Sequence, residues 1–469
     1  MRLRLQPLPP PVKLPSTIFR QYDIRGTVGD QLTPAVARAV GQAYATLAWE
    51  RLKRAPRVAV GRDNRPSGPD LAAGVRDGIV LAGGTAIDVG EVPTPALSFA
   101  THTLQVDGGI QITGSHNPPE FNGFKMVLEH NAVFGDDIQH LYRLITDAGL
   151  VERGGGQRTT HHALLTAYRD AIVQHNGPLA RPIKVVVDCG NGVTSLIAIE
   201  TLRGVGAEVI PLFAESDGSF PNHHPDPSDV ENLHDVQNAV RQHGAELGIA
   251  FDGDGDRIGA VDERGAVVPG DQLLILFGRD LVHRVGAGKV VIFDVKCSEV
   301  LPQMLRRAGL EPFMWKTGHS FIKQKMKELG APLAGEMSGH MFFGADWYGF
   351  DDALFGAARL LAYVAREGGP LSRLLADIPP TFATPELRVD CADERKFDVV
   401  QQAAEHFAAR YPVVTLDGVR ITFPEGWGLL RASNTQPVLV LRFEAASETA
   451  LAAYRGEVEG WLSRHGVQP

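Results

Sequence analysis

Short apolar runs that stop abruptly on glycine or a charged residue recur along the chain, each followed by enough sequence for one helix. Three runs open similar stretches: "RVAVGRDNRPSG" from Arg57, "KVVVDCGNGVTS" from Lys184 and "KVVIFDVKCSEV" from Lys289. A second run follows each of them, "TAIDVGEVPTP", "AEVIPLFAESDG" and "EPFMWKTGHSF". A third then ends on polar residues, in "GGIQITGSHN", "LGIAFDGDGDR" and "APLAGEMSGH". Strands alternating with helical stretches predict βαβ units and a largely parallel sheet, so the pattern reads as three related α/β domains. The last hundred or so residues have a different pattern. "ELRVDCAD", "VVTLDGVRITF", "WGLLRASN" and "PVLVLRFEA" alternate apolar and polar positions beside two helical stretches. That predicts a small α+β domain with an antiparallel sheet open on one side.

The punctuation between these patterns sets boundaries. "ERGGGQ" (Glu152 to Gln157) reads as a flexible break and "RGAVVPGD" as a second seam. "DDALFGAARLLAYVARE" reads as a helix, acidic at its start and followed by Gly368, Gly369 and Pro370. The expected domains are 1–158, 159–266, 267–378 and 379–469. A chain of 469 residues is too long for one core, which agrees with several domains. The "MRLRLQPLPPPVKLP" start has no apolar stretch after its arginines, so it reads as an extended Pro-rich arm rather than a signal peptide.

Composition narrows the function classes. No apolar run approaches the roughly 18 residues of a membrane helix. A net charge of −9 argues against nucleic-acid binding through phosphate neutralisation. Cys189, Cys297 and Cys391 are scattered and odd in number, which fits a reducing compartment, with the cytoplasm as the expected location. A monomer is the expected state.

Ligands of open α/β sheets bind at the carboxyl ends of strands, so the three polar stops are candidate site loops. "AFDGDGDR" sets Asp252, Asp254 and Asp256 on alternate residues, with Arg257 after them. Carboxylates so close repel unless a cation sits among them, and hard oxygen ligands select Mg²⁺ or Ca²⁺. An acidic surface turn is the bland alternative. An EF-hand is the sharper one, with Glu263 at position 12 but Arg257 where glycine belongs. "GEMSGH" offers Glu336, Ser338 and His340 to a polyhydroxylated ligand. "RASNT" offers Arg431, Ser433, Asn434 and Thr435 as an anion nest or, more plainly, a polar hairpin tip. "TGSHNPPEFNGFK" places Ser115, His116 and Lys125 after a core strand, where ordinary turn residues would also stand. Arg25, Lys296 and His319 add scattered cations near strand ends.

Taken in order, "YDIRG", "TGSHNPPEFNGFK", "FDGDGDR", "GEMSGH" and "RASNT" resemble the signature set of the α-D-phosphohexomutases, and within them the bacterial phosphomannomutase/phosphoglucomutase group. The match runs from about Tyr22 to near Phe443. The resemblance implies four domains around a central cleft and a phosphoserine at Ser115 that shares Mg²⁺ with Asp252, Asp254 and Asp256. It implies reversible phosphoryl transfer between C1 and C6 of mannose and glucose phosphates, with glucose 1,6-bisphosphate as activator and intermediate. Lys125 and His340 would be the acid/base groups, and His116 would orient the phosphoserine. Arg257 would neutralise the transferring group and Arg25 would lie beneath the loop. Tyr22, Lys296 and His319 would line the cleft. Glu336, Met337, Ser338, Gly339 and His340 would read the sugar. Arg431, Ala432, Ser433, Asn434 and Thr435 would hold the far phosphate. Met337 favours the dual mannose/glucose enzymes, since glucosamine-type mutases usually carry Gln there. The alternatives are a phosphoglucosamine mutase, a glucose-specific mutase, a metal-dependent phosphatase, or a carbohydrate- or calcium-binding protein.

Overall fold

The computed structural model of the chain describes residues 14–434 and 436–468. Most of the Pro-rich arm, and Thr435 of the expected phosphate loop, lie outside the described residues. The chain divides into two compact units. One runs through Leu165 and takes in Asp217–Ser219, and the other holds Thr166–Ser216 and everything from Phe220 onward.

The first unit is built on one sheet. Its strands are β1 (Ile24–Thr27), β2 (Arg57–Arg62), β3 (Thr85–Glu91), β4 (Gly108–Ile112), β5 (Phe121–Leu128), β6 (Asn131–Ala132) and β7 (Gln157–Thr160). Their order is β1-β5-β4-β2-β3-β7, with β6 on β5. Strands β4, β2 and β3 are parallel, and β5 returns antiparallel to β4. Val58, Val60, Ile110 and Ile112 are fully buried in the core formed with helices Pro34–Leu52 and Gly68–Leu81. Thr33 starts the first of these helices by accepting the Val36 N–H at 3.2 Å, and Pro34 occupies the position where its missing N–H costs nothing.

The second unit carries three sheets. The first comprises β8 (Lys184–Asp188), β9 (Glu208–Leu212), β10 (Leu247–Phe251), β11 (Ile258–Asp262) and β12 (Val267–Val268), in the order β12-β11-β10-β8-β9. The second comprises β13 (Val290–Asp294), β14 (Glu311–Trp315), β15 (Leu333–Gly335) and β16 (Met341–Phe343), in the order β14-β13-β15-β16. The last comprises β17 (Phe382–Ala383), β18 (Leu387–Asp390), β19 (Val413–Val414), β20 (Val419–Phe423), β21 (Gly426–Ala432) and β22 (Val438–Ala445). It is antiparallel throughout and backed by helices Asp393–Ala408 and Glu448–Arg464.

The first three sheets repeat one topology. The opening strand lies centrally, the next two flank it in parallel, and a fourth returns antiparallel to the third. The expectation of three related α/β domains and a C-terminal α+β domain is met, and each sheet is mixed. The polar stops are the turns into the returning strand. Because the second and third strands lie on opposite sides of the first, the chain changes direction between first and third, and ligand crevices open at that point. The stops at Ser115, Asp252 and Glu336 all follow a third strand.

Two expectations are corrected. The Glu152–Gln157 segment is tied to the helix and sheet of the first unit. Its Arg153 N–H donates to Leu81 O, the Arg153 guanidinium lies 4.3 Å over Trp49, and Gln157 begins β7 beside β3. The last sheet is covered on both faces. Trp427 and Leu429 pack against Val295 of the β13 side, and Arg420, stacked 3.6 Å over Trp427, donates to Val295 O and Cys297 O. The alternation along β21 reads as one wet face because arginine and tryptophan are poor markers of burial when their polar ends find partners.

Candidate active site

Ser115 sits in the turn after β4 with φ +51°, a left-handed conformation that non-glycine residues adopt rarely and that clusters at functional sites. Only 2% of it is exposed. Its N–H donates to Thr113 Oγ1 (2.8 Å), and its Oγ lies 3.2 Å from His116 Nδ1. The cause of the turn is Arg65, fully buried just past β2. Its guanidinium donates to Ser115 O (2.9 Å), Asn117 O (2.5 Å), Pro118 O (2.6 Å) and Phe121 O (3.1 Å), and to Asp63 Oδ2 (3.1 Å). Asp63 in turn accepts the Gly114 N–H at 3.1 Å. One guanidinium thus satisfies four carbonyls that a sharp turn would otherwise leave without donors. Arg65→Met removes these side-chain bonds and breaks the buried pair with Asp63, so it is expected to cost about 3 kcal/mol or more of stability, read from the urea midpoint.

Arg25, on β1, reaches the same loop and donates to Asn117 Oδ1 (2.9 Å) and Asp23 Oδ2 (2.6 Å). Lys125, on β5 opposite Gln111, has its side chain buried. Tyr22 lies in the turn before β1, half-buried. The first unit therefore gathers Ser115, His116 and Arg25 at one loop.

In the second unit Asp252, Asp254 and Asp256 are all fully buried, with one oxygen of each inside a 4.8 Å cluster. Asp252 organises the turn, its Oδ1 accepting the N–H groups of Gly255, Asp256 and Arg257 at 3.0–3.1 Å. Such a set of hard oxygen donors out of water fits a divalent cation of the Mg²⁺ type. The turn joins β10 to β11, and Glu263 is engaged elsewhere, accepting from Ser372 Oγ (2.5 Å) and N (3.2 Å). No helix–loop–helix surrounds it, so the EF-hand alternative fails.

The Glu336–His340 loop lies directly alongside. Ile258 N–H donates to Gly339 O (3.1 Å), and Arg257 bridges to His340. Gly339 has φ +93°, and a Cβ there would stand 2.4 Å from Ile258 O, so only glycine permits the contact. Arg257 Nε donates to His340 Nε2 at 3.0 Å, which requires that ring nitrogen to be an acceptor. His340 Nδ1 is 3.1 Å from Asp351 and 3.5 Å from Asp256. Burial works against a charged Asp351, yet Lys323 at 2.9 Å, with His340 and His319, holds its carboxyl well below the usual range. The His319 ring stacks on that of His340 at 5.6 Å. Glu336 accepts the Gly318 N–H (2.5 Å), and burial pushes its carboxyl up despite the nearby His340. Met337 N–H donates to Asp294 Oδ1 (3.0 Å) at the end of β13, and the Met337 and Ser338 side chains are half-exposed.

Two further cations converge from the last two sheets. Lys296 pairs with Glu386 at 3.1 Å, and Arg431 with Asp417 at 3.1 Å. Burial alone would lower the Lys296 ammonium, but Glu386, Asp294 and Glu336 raise it. Ala432 ends β21 after Arg431, and Ser433 and Asn434 follow in the turn. Lys396, buried on its helix, ties that turn by donating to Ser433 O (2.5 Å) and Gln436 O (3.0 Å). Arg65, Asp351 and Lys396 escape a reading of the sequence because each is a lone charged residue far along the chain from what it holds. The "GRDNR" that carries Arg65 offered the only local hint.

Comparison with known proteins gives the chain relatives along nearly its whole length. Residues 16–150, 166–265 and 269–382 match the alpha/beta/alpha domains I, II and III of phosphoglucomutase/phosphomannomutase, and 386–460 match its C-terminal domain. The chain is 46% identical over 440 residues to a phosphomannomutase/phosphoglucomutase of Pseudomonas aeruginosa, covering 93% of this chain and 94% of that one. It is 44% identical to a phosphoglucomutase of Neisseria gonorrhoeae, covering 92% and 94%. A crystal structure of a phosphoglucomutase/phosphomannomutase family protein from Burkholderia thailandensis superposes with a TM-score of 0.89 at 45% identity, covering 96% and 98%.

Proposed function

From the premise that the chain belongs to the phosphoglucomutase/phosphomannomutase family, we propose that it is a mutase that moves a phosphoryl group between C1 and C6 of mannose and glucose phosphates. The observation that carries this reading is the buried aspartate triad, set beside a loop that presents a carboxylate and an imidazole to a ligand. Phosphoryl transfer asks chiefly for positioning and for neutralisation of charge.

Ser115 carries the phosphoryl group. The hexose phosphate enters with its free hydroxyl toward that phosphorus. The hydroxyl oxygen forms the new P–O bond as the bond to Ser115 Oγ breaks; one member of the His340 and Lys125 pair takes its proton while the other gives a proton to the departing Ser115 Oγ. The product is a 1,6-bisphosphate. After reorientation, Ser115 Oγ attacks the other phosphorus, its proton going to the same pair, and the sugar oxygen leaves protonated. Asp252, Asp254 and Asp256 would hold Mg²⁺, which when bound would supply electrophilic stabilisation of the transferring group. Arg257 adds charge there, His116 orients the phosphoserine, and Arg25 steadies its loop through Asn117. Glu336 and Ser338 hold the ring hydroxyls. Arg431, Ala432, Ser433, Asn434 and Thr435 hold the far phosphate, with the Lys296 cation beside Arg431, while Tyr22 and His319 line the approach. Glucose 1,6-bisphosphate acts as activator by rephosphorylating Ser115. The enzyme works as a cytoplasmic monomer with small-molecule substrates and without nucleic acid. No helix among the described residues is long and apolar enough to cross a membrane.

Met337 sets the specificity expectation. Turnover on mannose 1-phosphate and glucose 1-phosphate should agree within about tenfold, and glucosamine 1-phosphate should be poorer by more than that. A coupled assay of all three, with and without catalytic glucose 1,6-bisphosphate, checks it. A preference for glucosamine 1-phosphate would reassign the substrate.

A further inference from the structure

The two cations given to the far phosphate are already engaged, and by groups of the same kind. Lys296 follows β13, and its Nζ donates to Glu386 Oε2 at 3.1 Å. Glu386 stands just before β18 and also accepts from Arg388 at 3.2 Å. Arg431, at the end of β21, donates through Nε to Asp417 Oδ2 (3.1 Å), with Nη2 3.5 Å from Oδ1. Asp417 reaches over Arg431 because Gly418 follows it. Gly418 has φ +85°, and a Cβ there would lie 2.4 Å from Leu430 O and 2.6 Å from the Arg431 Cβ. The same Asp417 Oδ2 accepts the Thr317 N–H at 3.0 Å. Both carboxylates therefore link the last sheet's domain to the loops of the preceding one. Lys296 and Arg431 are buried, and a buried cation without a partner is costly.

We propose that Glu386 and Asp417 are resident counter-anions, which occupy the phosphate-binding cations between substrates and exchange places with the substrate phosphate. The inference rests on the assignment of Lys296 and Arg431 to phosphate. A carboxylate brings one charge, whereas a phosphate monoester near neutral pH brings about −1.5 to −2 and more acceptor oxygens. The exchange therefore favours a doubly charged phosphate over singly charged anions and makes the pair a selectivity filter. It also lowers the cost of letting go. When one end of a bisphosphate detaches, the carboxylates reclaim the cations, so the intermediate can turn without leaving them bare. As Asp417 swings away it releases Thr317, which couples phosphate arrival to the contact between these two domains. Lys296 holds the Glu386 carboxyl down at about 2, so this counter-anion stays charged across the working pH range.

The test measures inorganic phosphate binding to the full chain by calorimetry, and steady-state turnover on glucose 1-phosphate, in the wild type, Glu386→Gln and Asp417→Asn. Both substitutions keep shape and remove charge, and they sit at separate places, so misfolding of one leaves the other decisive. Phosphate should bind roughly three- to tenfold more tightly in each. KM and kcat for glucose 1-phosphate should fall together, a split that mere loss of structure would not produce. Unchanged or weaker phosphate binding would overturn the proposal. Lys296→Met and Arg431→Lys separate it from its premise: phosphate should bind more weakly in both, and unaltered binding there would instead remove these cations from the phosphate site.

Discussion

Ser115→Ala is expected to lower mutase turnover by roughly 10⁴-fold or more, the scale on which loss of a covalent nucleophile is felt. On the proposed path the hydroxyl forms and breaks the bond to phosphorus in both half-reactions, so no remaining group can substitute. Ser115 is held at φ +51° by bonds to backbone atoms: Thr113 Oγ1 on its N–H and Arg65 on its carbonyl. The turn does not need the Ser115 hydroxyl, so alanine should leave stability within about 1 kcal/mol of wild type. Two measurements check this. Intact mass of the purified wild type should show a species heavier by one phosphate, which the variant lacks. A thermal melt should show the two proteins unfolding together. A variant that turned over at more than a hundredth of the wild-type rate would remove Ser115 from the reaction path.

The second large effect is expected at Asp254. Asp254→Asn should reduce kcat by about 10²–10³-fold while KM stays within a few-fold, because the ion acts mainly on charge that develops in transfer. The three carboxylates differ in what else they do. Asp252 also accepts three backbone N–H groups and Asp256 lies 3.5 Å from His340, so replacing either disturbs the turn or the imidazole as well. Raising Mg²⁺ should recover part of the lost rate in Asp254→Asn and none in Ser115→Ala. Equal losses in kcat and in substrate affinity would contradict the metal role.

The parts of this protein that were legible in the sequence are those whose chemistry is local. The alternate spacing of Asp252, Asp254 and Asp256 anticipates the buried carboxylate cluster, and the three strand–helix–strand repeats announce three similar sheets. The strand-end rule then located the loops without knowledge of what they bind. What stayed hidden acts across distance in the chain. Arg65 holds a turn 50 residues later, and Asp417 meets a backbone N–H 100 residues earlier. No periodicity marks such partners, because a single arginine or aspartate in a loop looks like surface. The covered second face of the last sheet was missed for a related reason. Arg420, Trp427 and Arg442 are buried by another domain, with Arg442 donating to Lys296 O, and alternation within one strand carries no sign of a neighbour.

The experiment that bears most directly on the proposed chemistry is a single turnover with labelled enzyme. The chain is phosphorylated on Ser115 with radioactive phosphate, freed of excess label, and mixed with unlabelled glucose 1-phosphate and Mg²⁺. Label should leave the protein at the rate of turnover and appear first in the 1,6-bisphosphate, then in glucose 6-phosphate. Label recovered as inorganic phosphate at that same rate would make the protein a phosphatase, and label that stayed on the serine while sugar isomerised would end the role given to that hydroxyl.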